Sequence, residues 1–433
     1  MAALRQSNFL LYSASRILST LGQSTLQTVM AWQVYDMTGS PWSLGFLGLA
    51  RFFPALASSV LGGLVADSFD RRGVMVASQS VPLAVGIVLA VATLGGWVSL
   101  PLILGLVVCL GLASSFEGPA RTALLPAIVT PETFTNAVTV NNIFQKLGAV
   151  TGPTLSGFVI ATLGIAAAYT GFCVATVLSV VPILLLRYAP RTWQGRKISF
   201  DAVREGVRFV RERPVLLGAM SLDMFAVIFG GASALLPIYA RDILGGGAQT
   251  MGLLSSSMQA GAFLMSFVLV WRPPVKRTGR ALILTVVAYG LVTVIFGLSR
   301  EIWLSLFLYG LIGATDQISV VMRQTTIQMA TPDELRGRVS SVHQVFVGAS
   351  GQIGAMESGF VAALTSATFA VVSGGAGAVA VAAWMGIWNR EMYRYEIQTH
   401  SQPITVQVSE APGRATEAPA DGTPAKEPST SAT

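Results

Sequence analysis

Charge is scarce in this chain. Only 11% of its 433 residues are Asp, Glu, Lys or Arg, where a soluble protein carries about 25%. A fold with an ordinary solvated surface is excluded. Histidine is nearly absent: His343 and His400 are the only two. Neither stands in a metal-spaced cluster, so no metal site is expected. Cysteine is equally rare. Cys109 and Cys173 both lie inside apolar stretches and read as small core residues rather than a disulfide. The phosphate-cradling pattern G-x-x-x-x-G-K-[ST] does not occur, which argues against ATP-driven work by this chain alone. No constellation spaced for acid–base or nucleophilic catalysis is recognisable. The chain is therefore not read as an enzyme, with no catalytic residue and no cofactor expected.

Apolar sequence is what the chain has instead: 52% of its residues are hydrophobic. Long apolar stretches fill residues 9–388, each of about 20 residues, the length a helix needs to cross roughly 30 Å of hydrocarbon. The pattern predicts spans at 9–34, 42–65, 74–94, 101–120, 138–163, 166–188, 215–240, 249–271, 281–299, 302–322, 339–364 and 366–388. The fold class is thus an all-α membrane protein of twelve transmembrane helices, with both termini on one side. Met1 to Asn8 show no cleavable signal, so the first helix is expected to be retained.

Lys and Arg identify that side. Loops after the odd-numbered helices hold only Arg241 and Arg300, whereas the opposite loops and termini hold Arg5, Arg71, Arg72, Arg191, Arg204, Arg336, Arg390 and others. Short basic loops stay cytoplasmic, so both termini are expected in the cytoplasm of a bacterial inner membrane. The net charge of +7 then reflects topology and attraction to anionic lipid rather than nucleic acid.

The longest internal loop divides the chain into 1–188, a linker at 189–214, and 215–390. In the linker Phe200, Val203, Val207 and Val210 fall near helical spacing, with Arg204, Arg208 and Arg211 between them and Ser199 at the cap position. This predicts a basic amphipathic helix on the inner membrane surface. Residues 391–433 are expected to be a mostly disordered tail, since 397–433 are rich in Pro, Ala, Thr, Ser and Glu.

The two long portions resemble each other. Thr130-Pro131-Glu132 matches Thr331-Pro332-Asp333, Arg121 matches Arg323, and Ser156-Gly157-Phe158-Val159 matches Ser358-Gly359-Phe360-Val361. The offset stays at 201 or 202, too constant for chance composition. Two six-helix, pseudo-symmetric halves follow. Transporters use such repeats to rock around a midplane site.

Here specific motifs carry a family resemblance. Gly63-Leu-Val-Ala-Asp67-Ser-Phe-Asp70-Arg71-Arg72 resembles the loop signature G-x-x-x-D-R-x-G-R-R of the major facilitator superfamily. Gly148-Ala-Val-Thr-Gly152-Pro153-Thr-Leu-Ser156-Gly157 resembles its antiporter motif. The stretch Phe116 to Pro126, continuing to Asn136-Ala-Val, is similar to the enterobactin-exporter-like branch. The resemblance covers roughly residues 5–390. It implies that Asp67 latches the halves on the inner face, and that helices 1, 4, 7 and 10 line the cavity. Ser68 and Asp70 replace the usual Arg and Gly, which rearranges the latch. Ser114 stands where drug–proton antiporters often carry an Arg, and Glu117 where they carry a Gln.

Ionised groups near the bilayer centre cost about 2.5–3.5 kcal/mol on insertion scales. The chain places them in selected helices: Arg16, Arg51, Glu117, Lys146, Asp223, Asp316, His343 and Glu357. Helices 3, 6, 9 and 12 carry none in their cores, as expected of helices facing lipid. Glu117 and Arg121 stand at i and i+4, open to either a gating pair or a substrate or proton site. Gln23 and Gln27 are also at i and i+4, and with Arg51 and Lys146 are candidates to face the substrate cavity. A carboxyl group in a low-dielectric cavity has its charged form disfavoured, the condition for proton exchange. Asp316, Asp223, Glu117 and Glu357 are the available carboxyls. Asp316 ranks first and Asp223 second, since neither has a basic residue at i±3 or i±4. The expected function is secondary transport by alternating access, as a monomer, exporting a small organic molecule such as a siderophore, drug or amphipathic metabolite against protons. An importer on the same fold, or a non-transporting receptor or assembly factor, are the alternatives.

Overall fold

The computed structural model describes residues 5–66, 71–186, 200–271, 277–332 and 334–396. Among these the secondary structure is helical, with no strand. The first six helices are α1 (Ser7–Thr38), α2 (Pro41–Ala66), α3 (Arg71–Leu94), α4 (Leu100–Ile128), α5 (Pro131–Leu163) and α6 (Ile165–Leu185). The short α7 (Phe200–Glu212) follows, then α8 (Pro214–Phe229), α9 (Leu236–Ile238), α10 (Gly247–Trp271) and α11 (Thr278–Leu298). The chain continues with α12 (Ile302–Met329), α13 (Arg336–Leu364), α14 (Ala367–Trp388) and α15 (Arg390–Arg394).

Sequence punctuation sets these boundaries. α1 stops at Gly39, whose φ of 58° is left-handed and whose N–H bonds the Tyr35 carbonyl. Glycine adopts that conformation without a Cβ penalty. Pro131 and Pro214 open α5 and α8, where a missing N–H leaves no helical bond unmade. The helical segment 214–243 is interrupted: α8 ends at Phe229 with Gly230 as its cap, a 3₁₀ turn spans Ala232–Leu235, and a π turn spans Tyr239–Ile243. π turns inside helical runs often mark functional sites.

Among the described residues, seven segments are long and apolar enough to cross a membrane by length and composition: Arg72–Leu94, Ile165–Leu185, Pro214–Ile243, Gly247–Trp271, Thr278–Leu298, Ile302–Met329 and Ala367–Trp388. The sequence pattern predicts twelve. Polar residues on its inward face lower the apolarity of α1, which buries Ser13, Ser15, Ser19, Thr25, Thr28 and Gln33.

Helix contacts follow one scheme twice. α1 packs on α5 and α6, α2 on α4, and α3 on α4 and α6. Likewise α8 packs on α13 and α14, α10 on α12, and α11 on α12 and α14. The two sets meet where α2 crosses α13 and α5 crosses α10. Near the α1 C-terminus a single apolar cluster runs through both sets, from Val29, Leu44 and Phe172 to Leu235, Tyr239, Phe296 and Ile312. At the other end the clusters are separate. One holds Phe9, Met75, Leu124 and Ile183 of the first set; the others hold Leu222, Val286 and Ala382, and Val210, Leu216 and Val339, of the second.

The structure places α7, the residues just after α14, and the two cysteines. The apolar side of α7 is covered in part: Val210 is buried and Val207 is exposed, while the side chains of Phe200 and Val203 lie outside the described residues. Gly206 and Val210 are buried, Gly206 against the Arg338 backbone and Val210 in a cluster with Leu216, Met220, Val339 and Val342. Arg204, Val207, Arg208 and Arg211 remain outward. The start of the expected tail is folded: Met392 is buried, the Asn389 amide donates to the Pro214 carbonyl at 3.0 Å, and Arg277 pairs with Glu396 at 2.9 Å. The tail beyond 396 lies outside the described residues. Cys109 is an exposed free thiol on α4 rather than a core residue, and Cys173 is half-buried.

Candidate transport site

Each helix set holds one buried ionic cluster built around an arginine. In the first set Arg121 Nη2 pairs with Glu117 Oε1 at 2.7 Å, with the side chains only 3% and 7% exposed. The i, i+4 spacing on α4 brings them together. The carboxylate then gathers donors from neighbouring helices. Ser19 Oγ donates at 3.1 Å and Gln23 Nε2 at 3.0 Å from α1, and Gln79 Nε2 at 3.4 Å from α3. Ser179 of α6 donates to Gln79 Oε1 at 2.8 Å. Glu117 is thus a shared acceptor for three helices. It is paired along its own helix with Arg121 and also bonded to Gln23, a cavity candidate on α1. Arg121 Nε and Nη1 and Arg16 Nε are buried without a hydrogen-bond partner.

In the second set Arg323 of α12 pairs with Asp223 of α8, at 4% and 7% exposure. The sequence shows no local partner for Asp223; its partner comes from another helix 100 positions away. The repeat does align Arg323 with Arg121, yet the carboxylates differ in origin. One pair lies within α4, whereas the other ties α8 to α12. A buried pair of this kind is a strong constraint, because losing either member strands a charge.

Asp316 lies on α12 and is half-buried. Lys146 and Arg323 are the cations acting on it. Lys146 reaches across from α5, its Nζ donating to Gln317 Oε1 at 3.4 Å. Asp223, and Tyr289 of α11, also lie in the field of Asp316. His343 of α13 is buried near Arg323, its Nδ1 without a partner. Asp316 therefore has both Asp223 and Lys146 close enough to act on it. Glu357 does not join them: it sits half-buried on α13 and accepts from Ser358 at 3.3 Å. Arg51 has a buried Nη2 without a hydrogen-bond partner. Gln27 is exposed on α1.

The glycines of the antiporter motif have a steric role. A Cβ on Gly148 would lie 2.9 Å from the Ile17 carbonyl, and one on Gly152 2.7 Å from that of Leu21. These two let α5 meet α1. Gly157 faces the other set: its Cβ would lie 2.6 Å from the Ala248 carbonyl of α10. Pro153 sits inside α5 between these contacts. Ser256 of α10 donates to the Val150 carbonyl, and Thr154 donates to Ser256, each at 2.6 Å.

At the α1 C-terminal end a polar latch joins the sets. Tyr35 donates to Asp242, and Arg241 approaches Asp36 at 3.5 Å and Asp242 at 3.8 Å. The Arg241 guanidinium lies 5.8 Å from the Tyr35 ring centre. No local spacing reveals this latch, because its two sides are 207 positions apart. At the opposite end, residues 67–70 lie outside the described residues, so the expected Asp67 and Asp70 contacts do too. The surroundings of Gly63 and of the Arg71 side chain also lie outside them. Arg72 donates to the Leu186 carbonyl at 3.4 Å and to that of Leu184.

Helices of membrane-spanning length with ion pairs sealed in their interior define a multi-pass membrane protein. A family model described as transmembrane secretion effector matches residues 1–409, and the chain belongs to that family, within the major facilitator superfamily. The enterobactin exporters EntS of Citrobacter koseri and of Escherichia coli O81 are each 25% identical over 332 residues, covering 76% of this chain and 79% of theirs. A POT family transporter in complex with 5-aminolevulinic acid has a similar fold, with a TM-score of 0.71 and 11% identity over 89% of this chain and 97% of that one. The nucleoside transporter NupG has a TM-score of 0.68 and 14% identity over 88% of this chain and 99% of its own. Membership of the family implies a small-molecule substrate.

Proposed function

We propose that this chain is a proton-coupled exporter of a small organic molecule, working by alternating access between two six-helix halves. α1–α6 form one half; the segments from α8 to α14 form the other, twelve transmembrane helices in all. The convergence of Asp223, Asp316, Arg323 and Lys146 carries the reading. A transporter needs a membrane-embedded group whose charge state depends on its occupants, and Asp316 has no neighbour that fully commits its charge. Asp316 is the first proton-coupling candidate. Asp223, already paired, is second. The Glu117 cluster supplies the corresponding polar surface in the first half.

The duplicated helix contacts support the two-half architecture. Continuous apolar packing and the Arg241 latch at one end, against separate clusters at the other, support a state closed at a single end. The Lys and Arg pattern supports the closed end as the outer one, with both termini in the cytoplasm of an inner membrane; the protein acts as a monomer in this reading. The relation to enterobactin exporters favours export of a siderophore-like or amphipathic metabolite.

The test is transport in vesicles under an imposed pH gradient, comparing wild type with Asp316→Asn and Asp223→Asn. Asp316→Asn should abolish gradient-driven transport while substrate exchange persists. A wild type that ignores the gradient would overturn proton coupling.

A further inference from the structure

One face of α5 looks across to the other half. Val150, Thr154 and Gly157 lie on it, and all three contact α10 through the hydrogen bonds and close approach given above. Lys146 is one turn earlier, at i−4 from Val150, and it points at α12 instead. Its hydrogen bond goes to Gln317, the neighbour of Asp316.

The charges around Asp316 can be assigned helix by helix. Arg323, on the same helix, is committed to Asp223. His343, on α13, lies near Arg323. α11 contributes Tyr289, and α8 contributes Asp223, itself an anion. α10 contains no charged residue. This leaves Lys146 as the cation near Asp316 that, among the described residues, has no carboxylate within ion-pair distance, and it belongs to the opposite half.

We propose that Lys146 is a positioning residue through which the protonation state of Asp316 controls how the two halves meet. This rests on Asp316 being the proton site. With Asp316 ionised, the Lys146 ammonium is held at α12 by charge and by Gln317 together. A proton on Asp316 cancels the charge attraction and leaves the 3.4 Å amide contact. The α5 face is then free to shift against α10 and α12. The coupling is electrostatic, so it needs a cation at 146 rather than a lysine as such.

The full chain in lipid nanodiscs tests this without a known substrate. Cys109 and Cys173 are replaced by serine, and spin labels are placed at Glu132→Cys and Ser340→Cys, near the starts of α5 and α13. Pulsed electron–electron distance distributions are recorded against pH. Wild type should switch between two distributions, and Asp316→Asn should hold one of them at every pH. Lys146→Gln should move the switching midpoint to higher pH by roughly 1–3 units, the usual effect of one nearby opposite charge. Lys146→Arg should restore it. The Lys146→Gln/Asp316→Asn double variant should behave as Asp316→Asn alone. A Lys146→Gln midpoint equal to wild type, with Asp316→Asn still locked, would overturn the role of Lys146. An additional effect in the double variant would overturn it as well. If wild type and Asp316→Asn both ignore pH, the proton site fails, and the inference with it.

Discussion

Consider removal of the Asp223–Arg323 pair. Both side chains are almost fully buried, so solvent screening gives little relief. Removing one partner of such a pair costs roughly 3–5 kcal/mol, while replacing both by apolar groups of similar volume is often neutral or stabilising. The two single losses should differ. Asp223→Asn leaves a guanidinium that stays charged at any working pH. Arg323→Met leaves a carboxylate, which can neutralise itself by taking a proton. Arg323→Met should therefore recover stability as pH falls, because protonation removes the stranded charge. Asp223→Asn should not recover. At ~2 °C per kcal/mol, the low end for larger domains, the single variants should lose about 6–10 °C near neutral pH. The Asp223→Leu/Arg323→Met double should return most of that. The assay is thermal unfolding in detergent, followed by intrinsic tryptophan fluorescence between about pH 5 and 8, a range that brackets the titration of a desolvated carboxyl group. A double variant that loses the sum of both singles would show that the pair is not energetically coupled. Equal pH response of the two singles would refute the stranded-charge argument.

The Arg241 latch is half exposed, so Arg241→Ala should cost at most ~1 kcal/mol. That is enough to raise the population of the alternative state by about five-fold, read as faster thiol modification of Thr28→Cys, a position buried on α1; an unchanged rate would make the latch incidental. Gly157→Ala pushes a methyl into the Ala248 carbonyl and should cost roughly 1–3 kcal/mol, slowing transport in vesicles at normal protein abundance; a wild-type rate would show that the α5–α10 contact does not move. An impermeant thiol reagent applied outside cells should label Gly39→Cys and spare Gly195→Cys, and labelling of the latter would invert the topology.

Hydropathy locates the spans but not the helix ends: it places edges at 34, 138 and 215, whereas the helices stop at Gly39 and start at Pro131 and Pro214, local backbone signals that apolarity does not count. The antiporter motif was legible as a backbone signal: its glycines are required where backbones meet, and Gly148, Gly152 and Gly157 each meet one. The amphipathic pattern of α7 was legible as a helix but not as to its partner. Periodicity states that one face must be covered. It does not state whether lipid or α13 covers it.

The ionic clusters show the same limit more sharply. A buried arginine demands an anion, and the repeat aligned both arginines. The supplier is a tertiary matter. Arg121 draws on Glu117, one turn away on its own helix, so that pair could be read directly. Arg323 draws on Asp223 of α8, because the counterpart of Glu117 in the second half is Ser319. With no carboxylate at i−4, the charge has to come from another helix, and it comes from the one that aligns with α1. The serine at this position converts a pair confined to one helix into a bond between two. It leaves Asp316 as an acidic side chain on α12 that shares Arg323 with Asp223 and draws on Lys146 from across the interface.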